Sequence, residues 1–146
     1  MRAVVQRVSE ASVEVENKIV GQINIGLLVL LAVHEDDSRQ QLEWVADKVA
    51  KLRIFQDEED KMNKSVEDVD GSILVVSQFT LYGSVKKGTR PSFIQSADPE
   101  KAESMYEEFV EYLKSNYSMP VESGRFAAMM NVKLVNDGPV TIIVEK

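Results

Sequence analysis

Ser77, Gln78, Thr80 and Tyr82 bring four hydrogen-bonding side chains into the stretch SQFTLYG, directly after the apolar run GSILVV. Polar side chains at the end of a buried strand sit where a rigid scaffold aims them at a ligand. Backbone N–H groups freed where a strand ladder stops polarise a carbonyl, and hydroxyl and amide side chains orient it. The alternative is a strand end whose hydroxyls satisfy nearby backbone groups. Residue types alone leave both readings open.

Other chemistries have less to draw on. With no cysteine, the chain has no disulfide, no thiolate nucleophile and no Cys-ligated zinc. Its one histidine, His34, lies at a strand end before EDD and reads as a surface or capping residue, which disfavours a Ser-His-Asp triad. A three-histidine metal site is impossible. The cluster DEED at 57–60 lacks the alternating ligands and central glycine of a calcium loop and reads as a solvated charged loop. No metal and no cofactor are expected.

The formal net charge of −7 opposes broad polyanion binding, because such affinity comes from Lys and Arg neutralising phosphates. The acids are unevenly spread, however. Residues 77–97 contain none and carry Lys86, Lys87 and Arg90; residues 123–136 contain none and carry Arg125 and Lys133. Either these segments form a local anion-binding surface, or carboxylates are scarce because the segments are buried strand. The second reading is preferred for 123–136, whereas burial does not suit KKGTR.

These residues need a scaffold. At 146 residues the chain has the size of one domain, taken as 1–146. RAVVQRV (2–8) and SVEVE (12–16) read as separate strands joined by tight turns, followed by IVGQI and the fully buried strand GLLVLLAV. Ser38 and Gln41 fit a capping box, and Leu42, Val45, Ala46, Val49 and Leu52 recur at helical spacing, so 38–53 reads as a helix. The acidic segment 55–71 reads as an exposed loop or irregular hairpin, and GSILVVSQF as a buried strand. Asp98 and Pro99 start a second helix ending near Asn116, with Ala102, Met105, Tyr106, Phe109 and Leu113 on one face. The tail gives two or three strands that break at NDGP. About seven strands and two helices in no βαβ rhythm define an α+β class, a largely antiparallel curled or barrel-like sheet with the helices on it. The start lacks the features of a signal peptide and no apolar run approaches the ~20 residues of a membrane helix, so no membrane contact and a cytoplasmic location are expected. In NDGPVT (136–141), Pro139 cannot donate within a central sheet, and composition alone favours a trans Gly-Pro turn.

The opening MRAVVQRV with Arg7, then GLLVLLAV, SQFTL, KGTRPSF and NDGPVT, resembles the D-aminoacyl-tRNA deacylase family in the order of its motifs across nearly the whole chain. The resemblance implies that fold, in a homodimer with active sites at the subunit interface. It implies hydrolysis of the ester that joins a D-amino acid to the terminal adenosine of tRNA, with glycine on a noncognate tRNA as a further substrate and L-aminoacyl substrates rejected. It assigns Ser77, Gln78, Phe79 and Thr80 to the catalytic region, Gly138 and Pro139, joined by a cis bond, to a chirality filter, and Arg7 to support of that loop. By analogy and charge, Lys86, Lys87 and Arg90 contact tRNA phosphates. The resemblance also places Phe126, Ala127, Ala128 and Met129 in the pocket lining.

In one place the chain departs from the family pattern Gly-x-Phe-Gly-Ala-x-Met, reading GRFAAMM with Ala127 at the second glycine. The extra methyl either tightens the pocket or demands a negative φ there. The chemistry implied fits the residue inventory, since an activated ester held against backbone donors near Phe79 and Thr80 is open to water assisted by the ribose hydroxyl. Thr80 as a covalent nucleophile is the competing mechanism. The competing class is an oligomeric α+β binding protein whose interfacial clefts hold a metabolite without turnover; it has no use for KKGTR or NDGPVT.

Overall fold

The strand β1 (Arg2–Val15) organises the fold because three other strands pair with it. In a computed structural model that describes all 146 residues, its first half pairs antiparallel with β3 (Gly26–Ala32) and its second half with β2 (Lys18–Ile23). Along its other edge runs β8 (Asn131–Glu145), from Arg2 opposite Glu145 to Glu14 opposite Asn131. The two strands expected at 2–8 and 12–16 are therefore one. The exposed pair Ser9–Glu10 interrupts the apolar pattern, but pairing with β8 carries the strand through with register shifts near Val8. The turn into β2 is where it was expected, with Glu16 at φ 51° and Asn17 at φ 61°, the backbone of a two-residue hairpin.

Two parallel pairings complete the main sheet. β3 pairs with β6 (Ser72–Ser77), and β6 with β7 (Val121–Ser123). Parallel neighbours need crossovers. The helix α1 (Arg39–Ala50) lies in the first, and α2 (Pro99–Asn116) in the second. These two βαβ passages were hidden in the sequence by the segments inserted beside each helix, among them the irregular hairpin of β4 (Phe55–Gln56) and β5 (Met62–Lys64). The α+β class and curled sheet stand, with three antiparallel and two parallel pairings in the main sheet.

Local signals set both helices. Ser38 and Gln41 form the capping box of α1, and the Asp98 side chain accepts from the Lys101 N–H ahead of Pro99. α1 stops at Ala50, earlier than the expected 53, although Leu52 still packs on the core. Leu27, Val29, Leu31, Ile73 and Val75 meet the helices on one sheet face, while Leu28, Leu74 and Val76 meet Val8, Ala11 and Val13 on the other. That alternation is the period-2 rule applied to strands covered on both faces. The long β1 curls over the second face and gives the sheet its barrel-like form.

The β3–β6 junction leaves no room at Gly26. A Cβ there would lie 1.9 Å from the Ser72 carbonyl oxygen, a backbone atom unable to move without parting the strands. Gly26→Ala is expected to cost about 3 kcal/mol. Urea unfolding should show a lower midpoint with an unchanged slope.

Candidate active site

β6 ends at Ser77, which pairs with Leu31 near the end of β3; the Gln78 N–H then makes one more bond, to the Leu31 carbonyl at 2.7 Å. The expected strand through Phe79 therefore stops two residues early, because the next carbonyl past β3, that of Val33, is taken by the Ala97 N–H at 3.0 Å. Residues Phe79–Tyr82 form a 3-10 turn instead. Leu81 N–H bonds to the Gln78 carbonyl at 3.1 Å and Gly83 N–H to the Thr80 carbonyl at 2.9 Å. The first N–H groups of such a turn, those of Phe79 and Thr80, have no acceptor within it, and no side chain caps it. Phe79 is 53% exposed, and Thr80 is exposed. Unpaired amides of exposed residues at a strand end are suited to hold a carbonyl oxygen.

The side chains around these amides offer no strong base. Gln78 Nε2 donates to Thr80 Oγ1. His34 Nδ1 accepts from the Asp36 N–H at 3.1 Å, and the ring packs edge-on against Tyr82 with centroids 5.1 Å apart. The Tyr82 hydroxyl is pushed up to about 12 by burial first, then by the charges of Asp37 and Glu145, with Arg2 opposing. It stays protonated at neutral pH. Tyr106 is likewise raised to about 12 by burial, against hydrogen bonding with Ser123 and Gly124 that lowers it.

The segment GRFAAMM begins beside β6, with Gly124 N–H bonded to the Val75 carbonyl at 2.9 Å. Phe126 tilts against Tyr106 at 6.0 Å, Ala128 packs on the apolar cluster of the outer sheet face, and Met129 is 93% exposed. Ala127 adopts φ 57°. The extra methyl therefore does not force a negative φ: the turn, closed by Ala128 N–H to the Arg125 carbonyl at 3.3 Å, keeps the left-handed backbone and the alanine accepts it.

The burial expected for 123–136 is overturned, because the outer side of β8 has no cover: Val135 is 50% exposed, and Arg125 and Lys133 face solvent. Lys133 pairs with Glu14 at 3.1 Å. Lys86, Lys87 and Arg90 stand exposed on a loop closed by reciprocal backbone bonds between Ser84 and Ser92.

Across the sheet, β8 places four residues, Asp137 to Val140, opposite the single residue Arg7, between the pairs Gln6–Thr141 and Val8–Asn136. The Gly138–Pro139 bond is cis, where composition favoured trans. Arg7, only 6% exposed, fills the gap beneath. Its Nε donates to the Asp137 carbonyl at 3.1 Å and lies 3.2 Å from Asp137 Oδ2, and Nη1 donates to the Ile54 carbonyl at 2.7 Å. Asn136 Oδ1 accepts from the Val140 N–H at 2.9 Å. A Cβ at Gly138 would meet Val140 Cγ2 at 2.8 Å and Arg7 Nη2 at 2.9 Å, and φ is +126°. Only glycine fits this position.

One chain does not bring the two halves together. Ser77 lies at the level of Leu31, whereas Arg7 lies opposite Leu27. Four residues along a strand are about 13 Å. Three contacts that residue spacing gave no signal for hold the 3-10 turn: Gln78 N–H to Leu31, Ser96 Oγ to the Phe79 carbonyl at 3.1 Å, and Arg2 Nη1 to the Leu81 carbonyl at 2.6 Å.

The fold and site define a class, a barrel-like α+β protein with unpaired amides at one strand end and a glycine-proline loop raised from another strand. A family model described as D-Tyr-tRNA(Tyr) deacylase matches residues 4–145, and the chain belongs to that family. A D-aminoacyl-tRNA deacylase of Thermotoga petrophila is 58% identical over 145 residues, spanning 99% of this chain and 97% of the relative. One of Chloroherpeton thalassium is 57% identical, over 99% of this chain and 95% of the relative. The solved structure of a c-Myc DNA Unwinding Element Binding Protein superposes with a TM-score of 0.95 at 43% identity, over 100% of this chain and 99% of that one. A probable eukaryotic D-amino acid tRNA deacylase shares the fold, with a TM-score of 0.83 at 19% identity, covering 99% of this chain and 98% of that one.

The left-handed Ala127 gives a stability prediction. A non-glycine residue at positive φ costs about 1–2 kcal/mol, offset in part by the greater unfolded-state freedom of glycine. Ala127→Gly is expected to stabilise the protein by about 0.5 kcal/mol, read as a higher urea midpoint.

Proposed function

We propose that the protein hydrolyses the ester of D-aminoacyl-tRNA, releasing the free D-amino acid and tRNA. The observation that carries this reading is family membership over nearly the full chain, joined to a site with free amides and no strong nucleophile. The ester carbonyl oxygen sits against the Phe79 and Thr80 amides, which stabilise the negative charge that grows there as water attacks the carbonyl carbon. Ser77 and Gln78 orient the adenosine and carbonyl, and the neighbouring ribose hydroxyl assists the water. Nothing positioned to activate Thr80 accompanies it, since its hydroxyl is engaged by Gln78 and the one histidine is turned to Asp36. Phe126, Ala127, Ala128 and Met129 line the pocket.

The active unit is a homodimer in which Gly138 and Pro139 of one subunit enter the pocket of the other. The separation of the two halves along the sheet supports this, as does the uncovered apolar row of β8, where Ile143 is 66% exposed. The loop excludes L side chains by clash, supported beneath by Arg7, and admits glycine, which has no side chain to exclude. Lys86, Lys87 and Arg90 neutralise tRNA phosphates, and the reaction takes place in the cytoplasm, where charged tRNA is used. The net charge of −7 makes such a local basic loop the more necessary for an RNA substrate.

Incubation with D-tyrosyl-tRNA and L-tyrosyl-tRNA tests the reading: the D-ester should be lost and the L-ester retained. Both esters left intact would favour the metabolite-binding class instead. Thr80→Ala should keep much of the rate, because the backbone donors remain; a loss of several orders of magnitude, or a trapped acyl-Thr80, would replace water with a covalent mechanism. Deacylation at subsaturating tRNA should weaken steeply with salt, and replacing Lys86, Lys87 and Arg90 by alanine should flatten the log–log slope by up to about 2.7. An unchanged slope would remove that loop from the RNA footprint.

A further inference from the structure

A four-residue 3-10 turn has little rigidity of its own, since few i to i+3 bonds close it and their geometry is poor. The amides of Phe79 and Thr80 therefore point where the surroundings hold them. In a planar trans peptide the carbonyl of one residue and the N–H of the next belong to one rigid unit and face opposite ways. Whatever grips the Phe79 carbonyl thus sets the direction of the Thr80 N–H. Ser96 Oγ donates to that carbonyl at 3.1 Å.

Ser96 is itself fixed from the sheet. Its neighbour Ala97 donates to the Val33 carbonyl at 3.0 Å, and Glu35 N–H donates to the Gln95 carbonyl at 3.1 Å. Its own N–H bonds to the Phe93 carbonyl at 3.0 Å. At the far end of the turn, Arg2 holds the Leu81 carbonyl, lies over the Tyr82 ring at 4.8 Å, and is anchored by Glu145 at 2.7 Å. Drawing charge toward the Phe79 carbonyl also polarises the peptide, so the Thr80 N–H becomes a stronger donor.

We infer that Ser96 is a positioning residue for the reaction, acting through the 79–80 peptide to aim and strengthen the Thr80 N–H. This rests on the hydrolytic reading of the site above. Ser96 touches no substrate; its effect lies in the direction of one amide. That direction matters only when charge develops on the carbonyl oxygen, so substrate binding is spared and the chemical step suffers.

Ser96→Ala and Ser96→Thr test this, with kcat and KM measured on D-tyrosyl-tRNA and the amide spectrum recorded on the same ¹⁵N-labelled proteins. Ser96→Ala is expected to lower kcat about tenfold with KM within about twofold, and Ser96→Thr, which keeps the hydroxyl, to restore it. The Thr80 amide resonance should move in Ser96→Ala, and the Leu81 and Gly83 amides should exchange faster, while those of Leu27 to Leu31 stay unchanged. A folded Ser96→Ala protein with kcat within about twofold of the parent overturns the inference. If the parent itself leaves the D-ester intact, the hydrolytic reading fails and the spectrum alone decides: a displaced Thr80 resonance upholds the brace, an unmoved one removes it. Should Ser96→Ala fail to fold, Ser96→Cys, with a weak donor of similar size, takes its place under the same criteria.

Discussion

A guanidinium almost sealed inside a sheet has to be matched, because a buried charge without partners costs several kcal/mol. Arg7 meets that demand with two backbone carbonyls and one carboxylate, from Asp137 and Ile54. Those partners belong to segments far apart in the chain. Satisfying Arg7 therefore fixes the height of the raised loop on β8 and ties the stretch just after α1 to the same point. Gly138 follows directly, since a side chain there collides with Nη2 of the same arginine.

The second fixed point is the end of the parallel β3–β6 pairing, where the chain past β3 turns to residues 95–97 and leaves the amides of Phe79 and Thr80 without a partner. The two points share one sheet but not one end of it. A rigid sheet cannot bend by the ~13 Å that separates them without breaking its ladder. In the homodimer proposed above, the curled β1 would be the fixed spacer between what each copy gives and what it receives.

Elements with local signals could be read from the sequence alone. The Ser38–Gln41 box, the Asp98–Pro99 start and the Glu16–Asn17 turn act over four residues or fewer, so the residues themselves carry the instruction. What depended on distant partners could not be read. Ser9–Glu10 looks like a break until β8 lies beside it, and the alternation in 131–135 says nothing of whether a surface covers it. The candidate site divides in the same way. Its residue types in SQFTLYG and NDGPVT stood out by composition, but the 3-10 turn arose because residues 95–97 take the partners past β3, and Ala127 kept a positive φ because the loop closes around it. Ser96 and Arg2 carry no motif at all; only the folded chain brings them to the carbonyls they hold.

The raised loop has one more effect on β8. A fifteen-residue strand paired on one side only presents an edge on which further chains could stack without limit. The four residues standing out opposite Arg7 interrupt the regular pleat near its middle, and Pro139 removes an N–H there. No incoming strand can run past that point in continuous register. The same loop thus guards against open-ended fibre growth.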